Sequence, residues 1–210
     1  MVKKIFCISI LTLVLFVFVS CSRNNIVTEY AMESYIPLCI NSLVDLSTHI
    51  VKAEIVDSRG EDINISLTGF TDSYLIHTVY RLRVTAVYYG DVAIGDIIEA
   101  AQMGGRYRNR ELIVEHLYTP LSDGDEIIFF LKCFNATWGT QLPMAIVQPF
   151  QGLFYPAPPN ARGEVVLQTV GERTHYHLPL TVGHLERIAD GTFWSAPSQT
   201  PIPQQSISEN

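Results

Sequence analysis

His175 and His177 are the residues of this chain best spaced for metal chemistry. They lie two apart in Arg173 to Leu178, a run that reads as a strand, so both imidazoles leave one face. His184 follows near the start of a helical segment, with Glu172 and Glu186 as the nearest carboxylates. Two same-face imidazoles and a third ligand would suit Zn²⁺ or Cu²⁺. No cysteine or carboxylate completes the set at a recognised spacing, and the solvated face of an edge strand is the expectation for the pair. His49, His77 and His116 are scattered. Asp91 with Asp96, and Asp123 with Asp125 and Glu126, could offer oxygen ligands to Ca²⁺. Asp and Gly are also what tight turns select, which is the expectation here.

Nucleophilic catalysis finds no motif. There is no G-x-S-x-G elbow, no H-E-x-x-H, no P-loop and no dinucleotide-binding glycine turn. Cys39 and Cys133 are the two cysteines outside the N-terminal region, and a disulfide between them depends on geometry that spacing does not supply. Five arginines stand apart from an acidic background. Arg106, Arg108 and Arg110 alternate in GGRYRNR, so an extended backbone would aim all three one way. Arg81 and Arg83 occupy the wetter face of the preceding strand, and together the five form a candidate anion-binding patch.

The elements that must position these residues are mostly strands. From Tyr80 the apolar side chains alternate (Tyr80, Leu82, Val84, Ala86, Tyr88) against Arg81, Arg83 and Thr85. Gly90-Asp91 and Gly95-Asp96 punctuate a turn, and Ile97 to Met103 returns as the second arm of a hairpin. Val51 to Val56 predicts a strand, Ser58 to Asp62 a polar turn, and Ile63 to Leu67 a weak strand. Gly104 to Glu111 reads as a loop, and Leu112 to Leu117 as another strand. Glu126 to Phe134 is a continuous apolar run launched by the turn Asp123-Gly124-Asp125, as expected of a strand buried on both faces. Ala145 to Phe150 and Leu153 to Tyr155 are further strands. Three prolines between Pro156 and Arg162 exclude that stretch from a central strand. Glu164 to Val170 with Arg173 to Leu178 forms a last hairpin. Asn41 or Ser42 is expected to cap a short helix, and Thr181 to Ala189 reads as another, with Leu185 and Ile188 inward.

The N-terminus carries Lys3 and Lys4 and then an apolar run from Ile5 to Val19, the layout of an export signal. Removing it leaves 12 Lys+Arg against 21 Asp+Glu, a net of −9, which disfavours nucleic acid. The boundary Phe18-Val19-Ser20-Cys21 resembles the lipobox of bacterial lipoproteins, with Phe18 where Leu is usual. That resemblance implies acylation of Cys21 and a lipid anchor on the extracytoplasmic face of the cell membrane. Between roughly residues 40 and 155 the chain resembles small exported domains of Gram-positive bacteria with OB-like or netrin-like barrels and no assigned activity. The residues carrying it are Val51-Lys52-Ala53-Glu54, Gly90-Asp91, Gly95-Asp96, Gly124-Asp125-Glu126 and Gln151-Gly152-Leu153-Phe154.

The sequence therefore predicts a signal peptide over 1–20, a tether over 21–36, a mostly β domain over 37–194, and a disordered tail over 195–210. The domain is expected to be a small OB-like barrel or sandwich with one or two short helices. Its expected role is a binding or structural module at the cell surface, with no cofactor and no resident metal. Its partners would be the membrane through Cys21 and an anionic envelope polymer or another surface protein. The alternative is a small metal-dependent or hydrolase-like enzyme built on His175 and His177.

Overall fold

Seven residues, Glu126–Lys132, form β7, and Ile127 to Leu131 within it are buried without interruption. The strand period of two sorts them into two cores. Ile127, Phe129 and Leu131 enter one hydrophobic cluster, and Ile128 and Phe130 enter another. A strand apolar on both faces has thus found cover on both. The computed structural model in which this is seen describes residues 26–31, 38–65, 72–114, 120–134, 142–149, 151–159, 161, 163–170 and 180–193.

Among the described residues there are ten strands and two α-helices. In chain order they are β1 (Val27–Ala31), α1 (Ile40–Leu46), β2 (His49–Asn64), β3 (Tyr74–Tyr89), β4 (Ile97–Met103), β5 (Gly105–Tyr107), β6 (Arg110–Val114), β7, β8 (Met144–Ile146), β9 (Leu153–Pro159), β10 (Val165–Thr169) and α2 (Val182–Ala189). They fall into two compact units. One comprises Ser34–Arg59, Val79–Gln102 and Thr119–Asn210; the other comprises Met1–Glu33, Gly60–Thr78 and Met103–Tyr118.

The larger unit is built around a partly closed ring. β7 pairs antiparallel with β2, β2 neighbours β3, and β3 neighbours β4. β4 then pairs in parallel with β8, which returns antiparallel to β7. The ring β2-β3-β4-β8-β7 is the Greek-key order of an OB-like barrel, and closure removes the exposed strand edges that an open sheet would leave. Its interior holds Val51, Ala53, Ile55, Tyr80, Leu82, Val84 and Phe129. Outside the ring, β9 and β10 extend the sheet from β7, and Leu43, Val44, Leu185 and Ile188 of the two helices cover Ile128, Phe130 and Phe154. The expected mostly β domain, a small OB-like barrel or sandwich with one or two short helices, agrees with the partly closed ring and two helices seen among the described residues.

The smaller unit holds a three-stranded sheet in the order β1-β6-β5. β5 and β6 are a hairpin turning at Arg108-Asn109, and β1 lies parallel to β6 with Val27 opposite Arg110 and Tyr30 opposite Ile113. The C-terminal end of β2 and the N-terminal end of β3 complete the unit.

Several local expectations change. β2 runs unbroken through Ser58 to Asp62, where a turn was expected, and takes in only the beginning of the weak strand placed after it. Gly60 explains the continuity, because its bare Cα lets the Arg106 carbonyl approach where a Cβ would stand 1.7 Å away. The loop expected over Gly104 to Glu111 is largely the β5–β6 hairpin. Val27–Ala31, inside the expected tether, is the paired strand β1. The N-cap of α1 is Cys39, not Asn41 or Ser42. β8 is three residues long, shorter than the strand predicted from Ala145.

The prolines are accommodated by one-sided pairing. β9 bonds β7 only through Leu153 and Phe154, while Pro156 and Pro159 face β10 alone. That part of β9 is locally an edge, where a missing N–H costs least. The second arm of the last hairpin, Arg173 to Leu178, lies outside the described residues, as do the signal segment and the C-terminal tail.

Candidate functional site

The two histidines best spaced for metal chemistry, His175 and His177, are not among the residues the structure describes. His184 is the third residue of α2, and its Nδ1 accepts the Thr181 backbone N–H at 3.1 Å, closing a capping box with the Thr181 side chain. Burial pushes its pKa down, with the nearby Arg187 charge adding to the effect. Among the described residues no group of three or more His, Cys, Asp or Glu side chains is placed to hold a metal ion. The Asp-rich turns do turn chemistry: Asp96 Oδ2 accepts the Ala93 N–H at 2.8 Å, and Asp125 Oδ2 accepts the Ser122 N–H at 3.0 Å.

Cys39 and Cys133 are free thiols, so the candidate disulfide is not formed. Cys39 Sγ instead lies 3.2 Å from Ser42 Oγ, whose hydrogen bond lowers the thiol pKa. Cys133 is half-buried just beyond β7, its N–H donated to Thr48 Oγ1.

The five arginines divide. In the larger unit Arg81 pairs with Asp57 at 3.2 Å and Arg83 with Glu54 at 2.9 Å, both across β2 and β3. In the smaller unit Arg110 is held by Glu29 at 2.9 Å and by Asp62 at 2.9 Å. Three of the five are thus committed to carboxylates. Arg106, Arg108 and Arg110 do not point one way, because the backbone between them is a turn. Arg106 sits opposite Glu111 and Tyr107 opposite Arg110, which places Arg106 and Arg110 on opposite faces of the hairpin. Arg108 occupies the turn in a left-handed conformation, φ 54°, with its guanidinium 4.9 Å from the Tyr107 ring centre. Arg106 and Arg108 are exposed and make no ion pair among the described residues.

The best-formed polar cluster involves a histidine that the sequence does not mark. His49 opens β2 and is buried, and its Nε2 donates to Asp91 Oδ1 at 2.8 Å. The Asp91 side chain is 96% exposed, so the bond runs from the protein interior to its surface. On the other side His49 Nδ1 lies 2.9 Å from Thr48 Oγ1. Thr48 Oγ1 accepts the Cys133 N–H at 2.8 Å and donates to the Leu131 carbonyl at 3.3 Å. Gly90 allows this packing: its φ is 109°, and a Cβ there would stand 2.4 Å from the His49 ring. Beside the cluster is a groove of about 640 Å³, bounded by Tyr88, Tyr89 and Asp91 at the end of β3 and by Ile188 and Gly191 at the end of α2. Tyr88 is half-buried, and its hydroxyl pKa is raised by burial first and by the negative charges of Glu186 and Glu126 next.

A hydroxyl, an imidazole and a carboxylate in line resemble a catalytic triad in inventory only. In a triad the hydroxyl faces substrate with its proton available to the imidazole. Here Thr48 Oγ1 accepts the Cys133 N–H, its one proton has both His49 Nδ1 and the Leu131 carbonyl within reach, and the arrangement joins β2, the β3–β4 turn and β7 at the edge of the groove. It is a lock for the turn.

The His49 bond depresses the Asp91 carboxyl pKa. Because the folded value is lowered, the pair's contribution is complete above the ordinary carboxylate range and is lost as pH falls through the folded Asp91 value. In His49→Ala, the Asp91 midpoint should therefore move up toward the ordinary range, its own backbone hydrogen bond holding it somewhat below. Carboxyl carbon NMR checks this, and an unchanged low midpoint would show that His49 is not the cause.

The OB-like barrel defines this chain as a small β-module, and comparison adds no relative to it. No protein-family model, curated protein or solved structure matches the chain.

Proposed function

We propose that the protein is a lipid-anchored extracytoplasmic β-module that binds a partner, or holds a structural position, at the cell surface. The observation that carries this reading is the apolar run ending at Ser20-Cys21. No helix among the described residues is long and apolar enough to cross a membrane, so on this reading attachment falls to the acyl chains on Cys21.

The groove suits recognition. Tyr88 and Tyr89 offer aromatic surface, Asp91 offers an exposed carboxylate, and a volume of about 640 Å³ is in the range of small-ligand sites. Its one lining carboxylate, Asp91, disfavours an anionic polymer at this position and favours a surface protein presenting a cationic side chain. The enzyme alternative rests on His175 and His177, which lie outside the described residues.

Replacing Cys21 by Ala tests the anchor. The Cys21→Ala chain should accumulate as the unprocessed precursor and should not incorporate labelled palmitate. Processing of the variant to the wild-type mature size would overturn the reading.

A further inference from the structure

We infer that the β5–β6 hairpin tip and the start of β1 form a membrane-facing surface that seats the smaller unit on an anionic lipid headgroup layer. The inference rests on the lipid-anchor reading of Cys21 and adds an orientation and a set of contacts to it.

Three observations meet at one place. The first is chain length. Val27 is six residues beyond Cys21, so even a fully extended chain puts the start of β1 within about 20 Å of the acylated residue. The second is register. The Val27 N–H donates to the Asn109 carbonyl at 2.8 Å, so the hairpin tip lies beside the end of β1 nearest the anchor. The third is the character of the surface. Ile26 is 41% exposed, and Arg106 and Arg108 are exposed and have no carboxylate partner among the described residues, whereas Val27, 53% exposed, stands in register with Arg110 on the face away from Arg106. Tyr30 and Ile113, opposite each other on β1 and β6, add further exposed apolar surface on the face that Arg106 shares.

The exposed Ile26, Tyr30 and Ile113 beside two guanidinium groups with no ion pair among the described residues fit the boundary between acyl chains and phosphates. The rest of the chain argues for the same orientation. With a net of −9 beyond the signal segment, an anionic surface repels most of the molecule, whereas Arg81, Arg83 and Arg110 are already paired with carboxylates. Arg106 and Arg108 are what remains at the anchor end to meet phosphate.

The test sets the tether chemically, so that its outcome does not depend on natural acylation. A chain beginning at Ser22 retains every described residue. Carrying an N-terminal His tag, it is held on vesicles by nickel-chelating lipid, and amide hydrogen exchange is read by mass spectrometry. In vesicles rich in phosphatidylglycerol, residues 26–31 and 105–109 should exchange about tenfold more slowly than in the untethered chain. Two arginines near an anionic surface, each worth roughly fivefold, bias the docked orientation by roughly 25-fold. Arg106→Ser with Arg108→Asn should therefore remove the protection, as should pure phosphatidylcholine; Asn is chosen because it tolerates the left-handed turn. Equal exchange with and without vesicles, or protection that persists in the double variant, would overturn the inference. Failure of the anchor reading appears separately, in the processing of Cys21→Ala.

Discussion

Gly60→Ala should destabilise the protein by about 3 kcal/mol, a large effect for the addition of one methyl group. The new Cβ would stand 1.7 Å from the Arg106 carbonyl oxygen and 2.7 Å from its carbon. Both are backbone atoms, so no side chain can swing aside. Either β2 or the β5–β6 hairpin must shift, and the smaller unit has few contacts to spare for that. Urea denaturation followed by circular dichroism gives the free energy. Hydrogen exchange shows where the loss is spent, with residues 60–64 and 105–114 expected to lose protection first. A change below about 0.5 kcal/mol, the range of ordinary surface substitutions, would mean that the Gly60–Arg106 approach does not hold in solution.

Gly90→Ala should cost about 3 kcal/mol for two reasons that can be separated. The backbone at φ 109° disfavours any Cβ, and this Cβ would meet the His49 ring at 2.4 Å. The first cost is present whatever occupies position 49, and the second needs the imidazole. A double-mutant cycle with His49→Ala separates them. The combined variant should be more stable than the sum of the single losses predicts, by about 1 to 2 kcal/mol. Simple additivity would show that the backbone cost acts alone and that His49 does not pack against the turn. The Asp91 titration gives a second reading of the same contact, since a displaced His49 ring releases the carboxylate.

Both predictions fall on glycines whose importance lies in a neighbour distant in sequence, and this limits what could be read from the chain. Gly90 was legible as part of a turn, because Gly-Asp pairs announce turns locally. Nothing near it announced His49, 41 residues earlier, or that the turn's Asp91 would be the partner of a buried imidazole. Gly60 was misread as part of a turn for the same local reason. A glycine flanked by Arg59 and Glu61 signals a break unless something is known to press against it.

The N-terminal strand was missed because a parallel edge strand of five residues, largely exposed, carries almost no apolar alternation. The hairpin at Arg108-Asn109 was missed because its left-handed residue is an arginine rather than glycine. The clustering of the arginines failed with it: a single positive φ reverses the chain and sends Arg106 and Arg110 to opposite faces.

The sequence by itself determined the elements whose cause is local. Alternation placed Tyr80, Leu82 and Val84 inside and Arg81 and Arg83 outside, as observed. The uninterrupted run at Ile127 to Leu131 required cover on both faces, and Thr181 with Asp190-Gly191 bounded α2. These follow from period, burial and capping within a few residues. The tertiary structure alone decided the closure of the ring through β8, the pairing of β1 with β6, the distribution of arginines among carboxylates, and the meeting of His49 with Asp91. Each of these is a contact between residues tens of positions apart. Its energy depends on geometry set by the whole barrel, and no local pattern in the chain encodes that geometry.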